Sequence, residues 1–167
     1  AVLFEEICSL GAALERLNIG IIREEEGIFE WWSTEQGGQR IDQLFIGSIE
    51  EPTTISKFYS DWKQGKKSVV IELTGKDLEQ WIRYLKEEIG MPYREDLRKD
   101  RRIHTGTFFN RGILVVSTPE FLPEGSTDLL ERFSKVFEQT YTRFLDLQKA
   151  EAQARESQIE AALERVR

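Results

Sequence analysis

His104 is the only side chain of this sequence whose ordinary pKa lies near neutral pH, so it is the first candidate for chemistry. Side chains alternate along a strand, and the strand predicted over residues 103–109 places His104 on one face with Gly106 and Phe108. In a pocket, His104 would hydrogen-bond an anionic ligand. In a packed core, it would be a structural histidine with satisfied ring nitrogens. The sequence favours the structural role and leaves the ligand role as the alternative.

The other reactive residue types form no catalytic or metal-binding pattern. The glutamates at 24–26 and 87–88 fall in a predicted turn and at a predicted helix end, whereas paired catalytic acids need buried and unlike environments. Cys8 and His104 are too few for a His/Cys zinc site. The sequence contains no nucleophile elbow, phosphate-binding loop or dinucleotide motif. We therefore expect no catalytic residue, no metal and no cofactor in this chain.

Aromatic side chains are the best candidates for a ligand pocket, because small-molecule sites are concave, mostly apolar and lined by aromatic rings. Trp62 and Trp81 fall on two predicted helices that should cover one face of a sheet, and Phe45 and Phe108 fall on strands beneath them. With His104, these four are the predicted ligand-binding residues. Plain core packing is the alternative for each of them.

The spacing of apolar residues predicts the elements that position these side chains. Apolar residues recur every three or four positions from Leu3 to Leu17, which predicts a helix over 2–17 that ends at Asn18-Ile19-Gly20. The following elements are predicted along the rest of the chain: strands over 19–25, 27–33 and 41–49, a helix over 52–63, a strand over 68–73, a helix over 77–89, strands over 103–109 and 112–117, and a helix over 125–167. Turns over 24–27, 36–39 and 110–112 join strands, and residues 93–102 read as an exposed connector.

This order of elements predicts an α+β fold built on one antiparallel sheet. The links between consecutive strands are short, as in a meander of antiparallel strands. Helices fall at both ends and in the middle of the chain, so we expect the terminal helices on one face and the two middle helices on the other. Continuous apolar runs at 69–71 and 113–116 support burial on both faces.

Charge and composition exclude some partners. The chain has 167 residues and a net charge of −7, which is unfavourable for contacts with nucleic-acid phosphates. No apolar run approaches the roughly 20 residues of a membrane-spanning helix, so we expect no membrane contact. One cysteine cannot form an internal disulfide, which favours a reducing compartment or a domain indifferent to redox. The chain begins with Ala1 and ends inside a helical pattern, so we expect it to be part of a longer protein.

The last predicted helix changes character halfway. From Lys149 onward it consists mainly of Ala, Glu, Gln and Arg, and its apolar face is thin. Apolar residues recur there at intervals of seven, at Ala152, Ile159 and Val166. Such a repeat predicts a parallel coiled coil with a second copy of the chain, and a solvated helix is the alternative. The following residues are the candidates for the dimer interface of the terminal helices: Leu14, Phe137, Phe144, Ile159 and Val166.

The stretch 133–167, FSKVFEQTYTRFLDLQKAEAQARESQIEAALERVR, resembles the segment that leaves a GAF-like sensor domain in large bacterial multidomain sensor histidine kinases. Residues 62–67, 108–114 and 117–120 are similar to the same group in a looser way, and the predicted order of elements is similar to the GAF layout. The resemblance implies a GAF-like sensory domain over 1–147, followed by a truncated signalling helix over 148–167, in a cytoplasmic two-component kinase.

The resemblance also bears on the ligand and on catalysis. It implies a module that senses a small molecule or a protein, without catalysis in this chain. The Asn-Lys-x-Phe-Asp-Glu signature of cyclic-nucleotide-binding GAF domains is not found, and Cys8 lies in the first predicted helix, so neither a cyclic nucleotide nor a bilin is expected. His104 lies on a strand and is not the phosphorylated histidine of a kinase.

The resulting functional expectation is a population shift. A ligand or a partner favours one arrangement of the domain, and the dimeric C-terminal helix changes its packing or register in response. The alternative is a dimerisation or spacer module that binds no ligand.

Overall fold

A computed structural model describes residues 2–34, 41–92 and 100–166. The strands are β1 Arg16–Arg23, β2 Ile28–Thr34, β3 Ile41–Ser48, β4 Ser68–Thr74, β5 Arg101–Phe109 and β6 Gly112–Thr118. The helices are α1 Val2–Ser9, α2 Ile55–Lys63, α3 Gly75–Tyr84, which continues into a π-helical turn over Leu85–Ile89, and α4 Ser126–Val166. In the described part of the chain, no helix has the length and hydropathy of a membrane span.

The six strands form one antiparallel sheet in the order β3-β2-β1-β6-β5-β4. The connection from β3 to β4 joins the two edges of the sheet and contains α2, and α3 lies between the neighbouring strands β4 and β5. The predicted α+β class, with an antiparallel sheet and a long C-terminal helix, is confirmed.

One face of the sheet packs against α2 and α3. Alternate strand residues such as Phe29, Ile71 and Val115 point to this face and contact Phe58 and Trp81 of the helices. Ring contacts extend across the layer, with Trp31 stacked on Trp81 at a centroid distance of 5.3 Å. This is the larger of two apolar layers, and it contains the site described below.

The opposite face of the sheet is covered by α1 and by the beginning of α4. Leu3 and Ile7 of α1 and Leu130 of α4 pack with Leu114 and Val116 of β6. Successive side chains of each central strand therefore point to opposite faces of the sheet, as expected for a β-strand. Burial on both sides explains why β6 is buried along its whole length.

The predicted first helix is too long. Helix α1 ends at Ser9, Gly11 has a φ of 91°, and Leu17 is a buried residue of strand β1. Asn18, Ile19 and Gly20 do not end a helix but lie in the middle of β1, because β2 and β6 bond its backbone from both sides.

Gly20 is required for a different reason than the one that the sequence indicated. A Cβ on Gly20 would lie 2.0 Å from the Phe29 ring, which packs directly on the backbone of β1. Leu14, a predicted interface residue of the first helix, lies outside that helix and is half-buried against the layer beneath α1.

The remaining boundaries differ by a few residues. Helix α2 begins at Ile55 rather than Pro52, α3 begins at Gly75, and α4 covers 126–166. The predicted turn at 36–39 and residues 93–99 of the predicted connector lie outside the described residues. The connector prediction is wrong for Arg101 and Arg102, which belong to β5.

Contacts between residues divide the chain into two compact units, Ala1–Ser134 and Lys135–Arg167. The sheet, its two apolar layers and the first turns of α4 belong to the first unit. The division suggested by sequence, after residue 147, follows a change in helix composition and stays a prediction.

The start of α2 is held by a buried carboxylate. Glu51 is 4% exposed, and its oxygens accept hydrogen bonds from the backbone N–H groups of Thr53, Thr54 and Ile55 at 2.8–2.9 Å. These are the donors that a helix leaves unsatisfied at its beginning, and a negative charge there also favours the helix dipole.

We expect Glu51→Ala to lower the free energy of unfolding by about 2 kcal/mol, because it leaves buried N–H groups without acceptors. The neighbouring, exposed Glu50 is the matched control, and Glu50→Ala should change stability by less than about 0.5 kcal/mol. Urea denaturation measures both. Equal effects of the two substitutions would contradict the capping role.

Candidate functional site

A small buried cavity lies between the sheet and the end of α3, with a volume of about 10 Å³. That is about the room that one water molecule needs. Polar and aromatic side chains share its lining, among them Asn18, Trp31, Trp81, His104 and Ser117. The cavity combines apolar walls with several hydrogen-bonding groups, at the size of a single water molecule.

Strand register brings the polar members of the lining together. His104 of β5 is paired with Ser117 of β6, which in turn is paired with Arg16 of β1. Asn18 lies two residues further along β1, on the same face. His104 Nδ1 lies 2.8 Å from Ser117 Oγ. The result is a short polar row across three central strands of an otherwise apolar face.

His104 is neutral in the folded protein. Burial, with a smaller contribution from the nearby Arg102 guanidinium, lowers its pKa to about 3. The rings of Phe58 and Trp81 meet the imidazole edge-on, at centroid distances of 6.2 and 5.7 Å. His104 therefore acts here as an uncharged hydrogen-bonding group held in one orientation by packing.

Several buried polar atoms of the lining have no hydrogen-bond partner among the described residues. They are Asn18 Oδ1 and Nδ2, Trp81 Nε1 and His104 Nε2. Buried polar groups are satisfied in the great majority of cases, and each unpaired group costs about 1–3 kcal/mol. Their concentration around one cavity is what marks this place as a candidate site.

A buried ion pair closes one side of the cavity. Arg102 Nε lies 2.9 Å from the Glu15 carboxylate, and the two side chains are 5% and 7% exposed. Glu15 precedes β1, and Arg102 is the second residue of β5. The pair therefore joins the segment before β1 to β5 beside His104.

The π-helical turn shapes the wall opposite the sheet. Met91 N donates to Leu85 O at 2.8 Å across this turn, and Gly90 takes a φ of 71° to allow the reversal. Leu85 and Met91 both line the cavity. Single π-helical turns inside helices are rare and occur frequently at functional sites.

The structure brings two of the five predicted ligand residues together. Trp81 and His104 line the cavity and contact each other. Phe45, Trp62 and Phe108 pack against the same apolar layer but are not part of the lining. Trp62 instead donates its Nε1 hydrogen to the Phe109 carbonyl at 3.2 Å.

Sequence reasoning missed the polar partners. The sequence pattern places Asn18 at a helix stop and Arg102 in an exposed connector. The one available signal is the alternate spacing of Arg102 and His104, which puts both on the same face of a strand. Ser117 could have been found only through the register of β5 with β6.

The predicted interface residues of α4 belong to the second unit. Phe137 is half-buried and stacks on Tyr141 at a centroid distance of 5.7 Å. Phe144, Ile159 and Val166 are exposed, and Val166 is 87% exposed. Their part in dimerisation stays a prediction.

Among the described residues, no group of three or more His, Cys, Asp and Glu could hold a metal ion. Comparison with protein-family models, curated proteins and solved structures gives no match to this chain.

We expect His104 to make stability depend on pH. Its pKa of about 3 in the folded state lies below the ordinary histidine value of 6.5, so the unfolded state binds more protons between these values. Stability is complete above pH 6.5 and falls as the pH is lowered, by about 2 kcal/mol at pH 5 relative to pH 8. His104→Gln should remove this part of the slope. Denaturant unfolding at pH 8 and 5 measures it, and equal pH dependence in both proteins would contradict a buried, neutral His104.

Proposed function

We propose that this chain is a sensory domain of a cytoplasmic signal-transduction histidine kinase, which passes a ligand- or partner-induced shift to its C-terminal helix. The observation that carries the proposal is the buried cavity with its unpartnered polar atoms at Asn18, Trp81 and His104. A small ligand in the cavity would supply hydrogen-bond partners for these buried atoms, and this supports a function in binding.

The sheet offers a direct route from the cavity to α4. His104 and Ser117 face the cavity, and the neighbouring residues of the same two strands face α4. On β5, Thr107 Oγ1 lies 2.5 Å from Ser134 Oγ of α4. On β6, Leu114 and Val116 pack in the layer that contains Leu130. We expect a shift of either strand on the cavity side to act on the base of α4.

The resemblance to GAF-like domains of sensor kinases supports the assignment to a signalling protein. The six-stranded antiparallel sheet with helices on both faces and a long C-terminal helix is compatible with that layout. On this proposal the chain itself does not catalyse a reaction, and the kinase activity belongs to the rest of the parent protein.

On this proposal, the domain passes its conformational shift onward through a parallel dimer of α4. In a heptad repeat that places Ile159 and Val166 at d positions, Ala152 also takes d, and Leu163 takes a. These side chains are exposed in the single chain. A second copy of the chain would bury them.

Charge supports a parallel, in-register pairing. In the same heptad frame Arg155 occupies a g position and Glu160 the e position five residues later. In a parallel dimer, g of one helix meets e of the next heptad on its partner, so Arg155 of each copy faces the partner's Glu160. An antiparallel pair would instead place like positions opposite each other and lose this match.

Disulfide trapping tests the pairing. In a Cys8→Ser background, Ile159→Cys should form a disulfide-linked dimer under mild oxidation, because d positions face each other in a parallel pair. Ser157→Cys lies at an outward b position and is the matched control. Non-reducing electrophoresis measures both. Equal cross-linking, or none at residue 159, would reject the in-register dimer.

Charge reversal tests the same register without cysteine. Arg155→Glu should weaken the dimer, and adding Glu160→Arg should restore it, since the pair is then reversed. Ile159→Asp with Val166→Asp should give a monomer. Sedimentation equilibrium measures all four proteins. A monomeric wild type at high concentration would exclude a dimeric output.

A spacer without a ligand is the second candidate, and the small volume of the cavity, about 10 Å³, favours it. Coupling between the cavity and α4 distinguishes the sensory domain from the spacer. With Ile159→Cys as reporter, Trp81→Phe should change the rate of disulfide formation by roughly fivefold or more, the lower end of measured coupling energies. Trp62→Phe makes the same change outside the cavity and should have little effect. If neither substitution changes the rate, the spacer is the better description.

A further inference from the structure

We infer that the outer edge of β3 is a docking surface for β3 of a second copy of this chain, with the two strands antiparallel across a two-fold axis. In the described part of the chain the sheet ends at β3, and no strand pairs with its outer side. The edge of a sheet presents N–H and C=O groups that can bind another strand. The exposed residues of this edge do not line the buried cavity, so the contact is independent of the proposed ligand site.

Two hydrogen bonds show which backbone groups of β3 point outward. In an antiparallel pair, alternate residues bond the neighbouring strand, and the residues between them point away from it. Ile49 N donates to Gly27 O at 3.2 Å, so residue 49 points toward β2 and residue 48 points away. Ser48 N indeed points outward, where it donates to Tyr84 Oη at 3.0 Å. Tyr84 therefore covers the C-terminal end of this edge.

The same alternation directs the N–H and C=O groups of Leu44 and Ile46 outward, and they have no hydrogen-bond partner there among the described residues. Their side chains lie on the face opposite α2 and α3, because Phe45 between them packs into that layer. Both side chains are exposed. Trp32, which is paired with Leu44 on β2, is also exposed and extends the apolar surface inward from the edge.

A second copy of β3 is complementary to this edge. When Leu44 is paired with Ile46 of the second copy, the outward residues of both strands exchange their backbone hydrogen bonds, and the two-fold axis passes through the Phe45 pair. Apolar side chains then meet apolar side chains on the exposed face, and such cross-strand pairs stabilise a sheet. Only one of the eight residues of β3, Asp42, is charged, which limits repulsion between copies of an acidic chain.

The opposite edge of the sheet, at β4, differs from β3 in charge. Val70 of β4 lies on the same face as Ile46, and each of the two side chains is 55% exposed. Glu72 is the next residue on that face, and Lys66 and Lys67 directly precede the strand. Charged side chains on an edge strand oppose pairing with another strand. Because β3 lacks this protection and β4 has it, β4 is the matched control for β3.

The contact is small compared with a stable interface. A short backbone ladder with a few apolar side chains buries less than the roughly 800 Å² per partner of a typical specific complex. We therefore expect weak association through β3 between free chains. When α4 holds copies together, the effective concentration of the second β3 rises, and the same contact becomes populated.

Disulfide trapping between two different variants tests the register. In a Cys8→Ser background, Leu44→Cys and Ile46→Cys proteins of different tag length are equilibrated together and then mildly oxidised. The mixed disulfide should form faster than either homodimeric disulfide, because directly paired residues have Cα atoms about 5.5 Å apart, within disulfide range. Non-reducing electrophoresis measures all three products. A dominant homodimer of the Leu44→Cys protein would overturn the register.

The control for trapping uses the equivalent positions of β4. Val70→Cys and Glu72→Cys proteins, mixed and oxidised in the same way, should give mixed and homodimeric products in the proportions of random collision. Equal yields of mixed disulfide from the β3 and β4 experiments would overturn the inference.

Lysine substitutions test the association without cysteine. Ile46→Lys should weaken self-association by about tenfold or more, since a charge would replace an apolar partner in the cross-strand pair. Leu44→Lys is a second variant with the same expected effect, and Val70→Lys should associate like the wild type. Sedimentation velocity over a concentration series measures association, and melting temperatures show that each variant folds. If all three variants associate like the wild type, the β3 contact is wrong.

The β3 contact and the α4 dimer can fail separately. Cross-linking at residue 159 without a mixed disulfide between residues 44 and 46 would refute the β3 contact and retain the α4 dimer. The mixed disulfide without cross-linking at residue 159 would do the reverse. Wild-type particles of more than two copies that Ile46→Lys reduces to two would support a β3 contact between α4 dimers.

Discussion

One face of the sheet buries polar side chains within an apolar layer, and this constraint governs the rest of the structure. Asn18, His104 and Ser117 form a polar row beside the apolar residues that pack against α2 and α3. Only the His104–Ser117 hydrogen bond is made within this row, while both amide atoms of Asn18 lack partners among the described residues. The surrounding aromatic layer, in which Trp31 stacks on Trp81, contributes apolar burial that offsets the cost of burying polar groups.

Strand pairing fixes the register of the sheet, and packing joins each of its two faces to helices. Five antiparallel pairings fix the register of its strands. Side chains alternate between the two faces, so the residue that follows one on the cavity face points to the opposite face. Thr107, three residues after His104 on β5, contacts Ser134 of α4. Close-packed interiors have low compressibility, so we expect a displacement on one face of the sheet to reach the other.

The sequence predicted the meander, the middle helices and the hairpin at 110–112 because each has a strong local pattern. The predicted helix is wrong at residues 10–20. The spacing of Leu10, Leu14 and Leu17 fits a helix, but β1 forms a strand because it pairs with a neighbouring strand on each side. Trp81 and His104 could be predicted as site residues from their chemical types. Asn18 and Ser117 could not, because these residue types are usually exposed and only long-range register buries them.

The unfavourable core of the proposed α4 dimer is consistent with a relay. In the heptad frame of Ile159, the a positions carry Lys149 and Glu156, and an in-register dimer would place each beside its own copy. Like charges at these two layers oppose the pairing that Leu163 and Val166 favour. A dimer with a small net stability has competing arrangements within a few kcal/mol, and a ligand can shift an equilibrium only when that gap is comparable to its own difference in affinity for the two states. A coil of uniformly apolar layers would hold one arrangement too firmly for a cavity of this size to change it.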